Sequence, residues 1–410
     1  MARSALASRY FLRFTFYSYS RPIFPFALSG PQPDKFFMAL KILIAPDKFK
    51  GTLTAQQAAD AMARGWRRTR PQDELELLPM SDGGDGFGEI ISHLLGATPQ
   101  MLKAVDAAHR PVEAVWWWHE ATKTAIIESA LVVGLAKLPH GKYHPFELDT
   151  RGLGGLLHAA AEHGAKRCLV GIGGSATNDG GFGMARALGW QFINAHEEDI
   201  TRWTELHHLT MVRPPDSTRL FDEIIVAVDV QNPLLGPSGC SRVYGPQKGL
   251  TEFEFAERCL GTLAAILEKQ LHLALATTPG AGAAGGLGFG LMSFLGAKME
   301  PGIDIFARHA RLADRVKSAQ LVITGEGALD AQTLMGKGVG EIANVCQKFG
   351  VPCIGLAGVV LEPEKAKEKF RAAHALTPNL TDKESALREP ALWLERLAAK
   401  VGEEWVGVAR

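Results

Sequence analysis

The chain has little of what would mark a disulfide framework, a zinc cluster, a membrane span or a nucleic-acid surface. Its 410 residues hold five cysteines (Cys168, Cys240, Cys259, Cys346 and Cys353), and no two of them form a C-x-x-C pair. That excludes the usual zinc and disulfide patterns and suits a reducing compartment, so a cytoplasmic location is expected. Basic and acidic residues balance at 44 each, so no global field favours nucleic acid. No uninterrupted apolar run reaches the ~18 residues that a membrane span needs.

Acidic residues are also missing before Asp34. The opening "MARSALASRYFLRFTFYSYSRPIFPFALSG" is rich in arginine, serine and aromatics, a composition like that of a transit peptide. The reading adopted is an upstream extension, disordered or not native. Met38 directly precedes the first strand pattern, so residues 1–37 are expected to lie outside the fold.

What is present is an ordinary globular balance. Hydrophobic residues make up 46% and charged residues 21%, enough for a sizeable core and, at this length, for two domains or more. "ALKILIAP" predicts a buried strand bounded by Pro46. "TLTAQQAADAMARGWRR" predicts a helix in which Thr54 and Gln57 have capping-box spacing. Ala55, Ala58, Ala59, Met62, Ala63 and Trp66 share one face of it. "LELLPMSDGGDGFGEIISHLL" repeats the order: strand, acidic glycine loop, helix. "VEAVWWWHEATKTAIIESA" reads as a hairpin, with Trp116, Trp117 and Trp118 as packing residues. "AKRCLVGIGG", "EIIVAVDVQNP" and "AQLVITGEGALD" supply further strands. The alternation predicts an α/β fold: a mostly parallel, Rossmann- or flavodoxin-like sheet with helices on both faces, and a second, mixed α/β domain around the hairpin.

In open α/β sheets, ligands bind beyond the carboxyl ends of the strands. Polar residues recur at that position: Asp47, Lys48 and Lys50; Ser81, Asp82 and Asp85; Ser175, Thr177, Asn178 and Asp179; Asp229 and Asn232; Glu326 and Asp330, with Lys337 further along. A single acid there reads as a helix N-cap, but five such loops point to a ligand site. The stretch "LVGIGGSATNDGGFGMARALGW" lacks the G-K-[ST] of a Walker A loop. It matches G-x-G-x-x-A at Gly171, Gly173 and Ala176, with Glu197 and Glu198 at about ribose-binding distance. An NAD(P)-dependent oxidoreductase is therefore one alternative, and a catalytically silent sugar-acid binding protein is another. The loop's hydroxyls and backbone amides suit a phosphate. Asp179 there suits Mg²⁺, which takes a few carboxylates plus phosphate oxygens. Lysines, glycine loops and scattered carboxylates together suggest phosphoryl transfer. His109, His140 and His144 show no ligand spacing.

Six segments in order, "IAPDKFKGTLTA", "PMSDGGDGF", "GIGGSATNDGGFGMARALG", "DVQNPLLGPSGCSRVYGPQKG", "PGAGAAGGLGFG" and "LVITGEGALDAQTLMGKG", resemble the type I glycerate kinases over residues 38–385. The resemblance implies ATP- and Mg²⁺-dependent phosphorylation of D-glycerate, usually to 2-phosphoglycerate. It also implies two α/β domains around a cleft, one built from both ends of the chain: residues 38–115 with 285–410, and an inserted domain at 116–284. The family usually has serine at Lys48 and "GKTP" in place of "GKGV" at 336–339. On this reading the catalytic set is Asp47, Asp179, Asp229, Glu326 and Lys337, with Asp179, Asp229 and Glu326 as Mg²⁺ ligands. Substrate and phosphate contacts fall to Lys50, Asp82, Asp85, Gly173, Gly174, Ser175, Asn178, Asn232 and Asp330. The expected partners are D-glycerate and ATP, with no nucleic acid or membrane, and the oligomeric state stays open.

Overall fold

A computed structural model describes residues 39–336 and 338–405, so the 1–37 segment and Lys337 lie outside the described residues. Its strands are β1 (Lys41–Ile44), β2 (Glu74–Leu77), β3 (Thr98–Val105), β4 (Pro111–His119), β5 (Thr124–Glu128), β6 (Arg167–Gly171), β7 (Gln191–Asn194), β8 (Leu209–Arg213), β9 (Glu223–Ala227), β10 (Lys298–Glu300), β11 (Leu321–Leu329), β12 (Cys353–Val360) and β13 (Ala372–Ala375). They form two principal sheets, ordered β13-β12-β11-β1-β2 and β10-β9-β6-β5-β4-β3, and a separate β7-β8 pair. The first sheet is parallel throughout and draws its strands from both ends of the chain. In the second, β10, β9, β6 and β5 run parallel, while β5, β4 and β3 pair antiparallel. The fold is thus the expected mixed α/β class, with the tryptophan-rich hairpin at the antiparallel edge.

Alternation of side chains along each strand divides the core. In β1, Ile42 and Ile44 face a core shared with helices Ala55–Thr69 and Pro390–Glu404, while Leu43 faces the other way. Leu43 enters a core that also takes Ile126, Leu169 and Ile225 from β5, β6 and β9, so one apolar layer joins the two sheets. Cys168, Val170, Ile224 and Val226 point to a third core on the far side of the second sheet. Trp116 and Trp118 belong to that third core, and Trp117 packs on the middle one.

The first helix follows its sequence signals. Thr54 accepts from the Gln57 amide at 3.1 Å and Gln57 returns a bond to the Thr54 amide at 3.0 Å. All six expected apolar positions are buried. At its end, Asp73 carries a buried polar knot. Its carboxylate accepts from Trp66 Nε1 at 2.8 Å, from Arg70 Nε at 2.6 Å and from the Leu40 amide at 3.0 Å. Asp73→Ala would strip a buried guanidinium of its carboxylate and the indole of its acceptor, a loss worth about 3–5 kcal/mol for a broken buried pair. Urea unfolding of this variant should therefore show a midpoint well below the native one.

Candidate active site

Because their strands run parallel, the carboxyl ends of β1, β2, β6 and β9 and the last residues of β11 open onto one cleft of about 1720 Å³. Asp47, Lys48, Lys50, Asp82 and Asp85 line it from the first two strand ends. Gly173, Gly174, Ser175 and Asp229 line it from β6 and β9, and Glu326 and Asp330 from β11. Glu326 lies within β11, which continues to Leu329, not in a loop after it as the sequence pattern predicts.

Four of these carboxylates crowd one another. Burial and then the charge of Asp82 push the Asp47 carboxyl up to about 7, against the pull of Lys48. The Lys48 amide donates to Asp47 Oδ1 at 2.7 Å. Asp229 is pushed up to about 8, by burial and then by Asp82, although the Gly302 amide donates to it at 3.2 Å. Burial raises Glu326 to about 7, against a 2.7 Å hydrogen bond from the Thr333 hydroxyl. Within the group, Lys48 Nζ lies 3.5 Å from Asp82 Oδ1. Burial opposes the charge on Lys48, but Asp82, Asp47 and Asp85 outweigh it and hold its pKa above the ordinary lysine value.

The glycine loop sits directly on the acidic loop. A Cβ on Gly173 would lie 2.5 Å from the Gly84 Cα, and one on Gly174 would lie 2.4 Å from Asp85 Oδ1. Gly174 also has φ +75°, a region costly for other residues. Its bareness therefore serves loop packing, whatever ligand the cleft takes. Behind the loop, Glu128 at the end of β5 accepts from the Gly86 and Gly88 amides at 3.1 and 3.0 Å and anchors the acidic turn.

Several expected site residues stand elsewhere. Asp179 is fully buried and does not line the cleft. Its Oδ2 accepts from the Thr150 amide at 2.9 Å, the Thr150 hydroxyl at 2.7 Å and the Gly183 amide at 2.9 Å. It therefore caps the helix Phe182–Ala187 and ties it to residue 150, a structural role played out of reach of the cleft. Asn178 is equally buried and donates to Ser241 Oγ at 2.9 Å. Asn232 donates to the Ser238 carbonyl at 2.8 Å and accepts from the Tyr244 hydroxyl at 2.6 Å, also away from the cleft lining. Ser175 reaches the cleft, but its hydroxyl accepts from the Thr177 amide at 3.1 Å. Asp330 lines the cleft while accepting from the Thr333 amide at 3.1 Å. The metal set Asp179, Asp229 and Glu326 is thus not brought together. Among the described residues no three His, Cys, Asp or Glu side chains form a ready metal site. The dinucleotide reading fails on geometry: residues 172–181 separate β6 from the next helix, so no helix start follows the G-x-G-x-x-A turn, and Glu197 and Glu198 lie exposed in a turn after β7.

Lys248, His140 and His144 line the cleft without having been expected there. Lys248 sits in the quoted "GPQKG" segment, but it is the last residue of the short 3₁₀ turn Pro246–Lys248, not the end of a strand. A strand-end search therefore passes over it.

Parallel strands that deliver carboxylates, lysines and glycine loops to one polar cleft define an α/β enzyme acting on small molecules. Residues 42–406 match the glycerate kinase family. A glycerate kinase of Halalkalibacterium halodurans is 38% identical over 368 residues, spanning 88% of this chain and 97% of that protein. A glycerate 2-kinase of Escherichia coli is 40% identical over 324 residues, spanning 78% of this chain and 85% of that protein. The crystal structure of a putative glycerate kinase 2 from Salmonella typhimurium superposes with a TM-score of 0.75 at 32% identity, covering 90% of this chain and 98% of that one. The chain belongs to the glycerate kinase family, a family of kinases.

Two outcomes follow from this geometry. Folding raises the pKa of Asp47, Asp229 and Glu326, so the folded state holds protons that the unfolded chain gives up. Their stability contribution is full below about pH 4, the ordinary carboxylate range, and is lost as pH rises to about 8. The melting temperature of the ligand-free protein should fall across that window. Asp229→Asn should flatten the fall and melt higher than the native protein at its alkaline end. Gly174→Val, which forces a β-branched residue into a left-handed conformation against Asp85, should lose about 1–3 kcal/mol of stability. Differential scanning calorimetry would show that loss, and an unchanged melting temperature would contradict the packing described.

Proposed function

We propose that the chain transfers the γ-phosphoryl group of ATP to D-glycerate, giving ADP and 2-phosphoglycerate, with Mg²⁺ and in the cytoplasm. The observation that carries this reading is the carboxylate–lysine group at the strand ends, in a chain of the glycerate kinase family. Mg²⁺ is bound by one or two carboxylates together with substrate phosphates, not by an all-protein cage. Asp82 and Asp229, whose side chains touch, fit that requirement. The ion would supply neutralisation of phosphate charge. Asp47 and Glu326, each with a pKa near 7, are matched to accept the proton of the glycerate hydroxyl at neutral pH. Lys48, held charged by its acidic neighbours, would face the phosphates. No helix of the described residues is long and apolar enough to cross a membrane.

The test is ADP release by the purified chain with ATP, D-glycerate and Mg²⁺, followed by phosphorus NMR of the product. The expected result is glycerate-dependent ADP release that chelation abolishes, and a single phosphoester at the 2-hydroxyl. Binding of D-glycerate without turnover would instead mark a silent binding protein. A 3-phosphoglycerate signal would overturn the assignment of the attacked hydroxyl.

A further inference from the structure

Lys248 stands apart from the other cationic groups of the cleft. It lines the cleft yet is only 7% exposed. Its ammonium donates to the Thr177 carbonyl at 2.6 Å, and among the described residues no carboxylate lies within ion-pair distance of it. Cys240 and then Asp179 act on it weakly against burial, and Asp179 already spends its oxygens on Thr150, Gly181 and Gly183. By contrast, Lys48 is paired with Asp82, and Lys50 is exposed. A lysine carries three donors. A buried cation with one neutral acceptor is costly, and such a group is kept where something else supplies the missing charge. Burial pulls its pKa down to about 8, the mark of an ammonium short of an anion.

The cleft wall beside it is strained as well. Ala284, which also lines the cleft, has φ 54° and precedes Gly285 and Gly286, both in the left-handed region. The Ala284 carbonyl accepts from Ser175 Oγ at 3.4 Å. Left-handed backbone at a non-glycine residue persists where the surroundings impose it, and it gathers at ligand-binding walls. The acidic group of Asp47, Asp82, Asp229 and Glu326 repels an anion, and while Lys50 and Lys142 line the cleft as exposed cations, Lys248 is a buried one on its wall.

We propose that Lys248 is a substrate-binding residue that receives an oxyanion of the reactants, the carboxylate of the acceptor or a phosphate of the nucleotide. The proposal rests on the kinase reading above, and its test separates the two. The native protein, Lys248→Met and Lys248→Arg are compared for kcat, KM for D-glycerate, KM for ATP and ligand-free melting temperature. Lys248→Met should raise one KM about 100-fold, equivalent to about 2.8 kcal/mol at 1.4 kcal/mol per decade. The substrate whose KM moves identifies the oxyanion, and Lys248→Arg should recover part of the loss. Both KM values within about twofold of native, with a lowered melting temperature, would overturn the proposal and leave Lys248 as a tie to the Thr177 carbonyl. Should Lys248→Met fail to fold, Lys248→Gln, whose amide still donates to that carbonyl, carries the same comparison. A native protein without glycerate-dependent turnover would sink the kinase reading alone. Thermal protection by D-glycerate or inorganic phosphate, present in the native protein and lost in the variant, would then still support Lys248 as an anion site, and equal protection in both would overturn it.

Discussion

The cleft depends on backbone meeting backbone without side chains between. The acidic turn that follows β2 belongs to one sheet by sequence, yet it rests on the strand ends of the other. A Cβ at Gly173 would fall 2.5 Å from the Gly84 Cα, and a Cβ at Gly302 would fall 1.9 Å from the Asp82 carbonyl oxygen. Such separations are open only to glycine, because no rotamer relieves a clash at Cβ. The result is that Asp82, carried by the first sheet, touches Asp229, carried by the second. Glu128 pins the far side of the same turn through two amides. Remove this close packing and the carboxylates of the two sheets no longer share one space.

That constraint also sets which parts of the site are legible in the sequence. Asp47, Asp82, Asp85, Asp229 and Asp330 follow strands, and the parallel order of both sheets brings them to one cleft, as the strand-end rule requires. Asp179 obeys the same rule and yet turns inward. Its fate is decided by Thr150, a partner 29 residues upstream whose hydroxyl and amide both reach it. Local pattern carries no trace of such a partner, and so a capping acid and a ligand-facing acid look alike. Asn232 is similar: Tyr244 takes its carbonyl and fixes the loop. Lys248 is the reverse case, a cleft residue in a segment with neither strand nor periodicity to announce it. The fold class was more legible than the site, since periodicity and strand–helix alternation act over short windows, whereas the direction of one side chain depends on distant contacts.

The charge pattern of the cleft has a consequence for how it works. Three carboxyls, pushed up to about 7, 8 and 7, keep protons near neutral pH that ordinary carboxylates have lost, Asp229 most of all. Each is neutral in part because burial and the neighbouring acids disfavour a further negative charge. On the proposed reading, a cation held by Asp82 and Asp229 would lower that penalty and favour the charged form of Asp229. Such binding would be tied to proton release and would tighten as pH rises, in the same range where the empty cleft loses stability. The group is therefore an unfavourable arrangement held in place by the glycine packing around it. Lysine at position 48 moderates this in advance: its ammonium, 3.5 Å from Asp82, supplies one permanent positive charge to a group of four acids. One charge does not offset the crowding of the four, as the raised pKa values of Asp47 and Asp229 show.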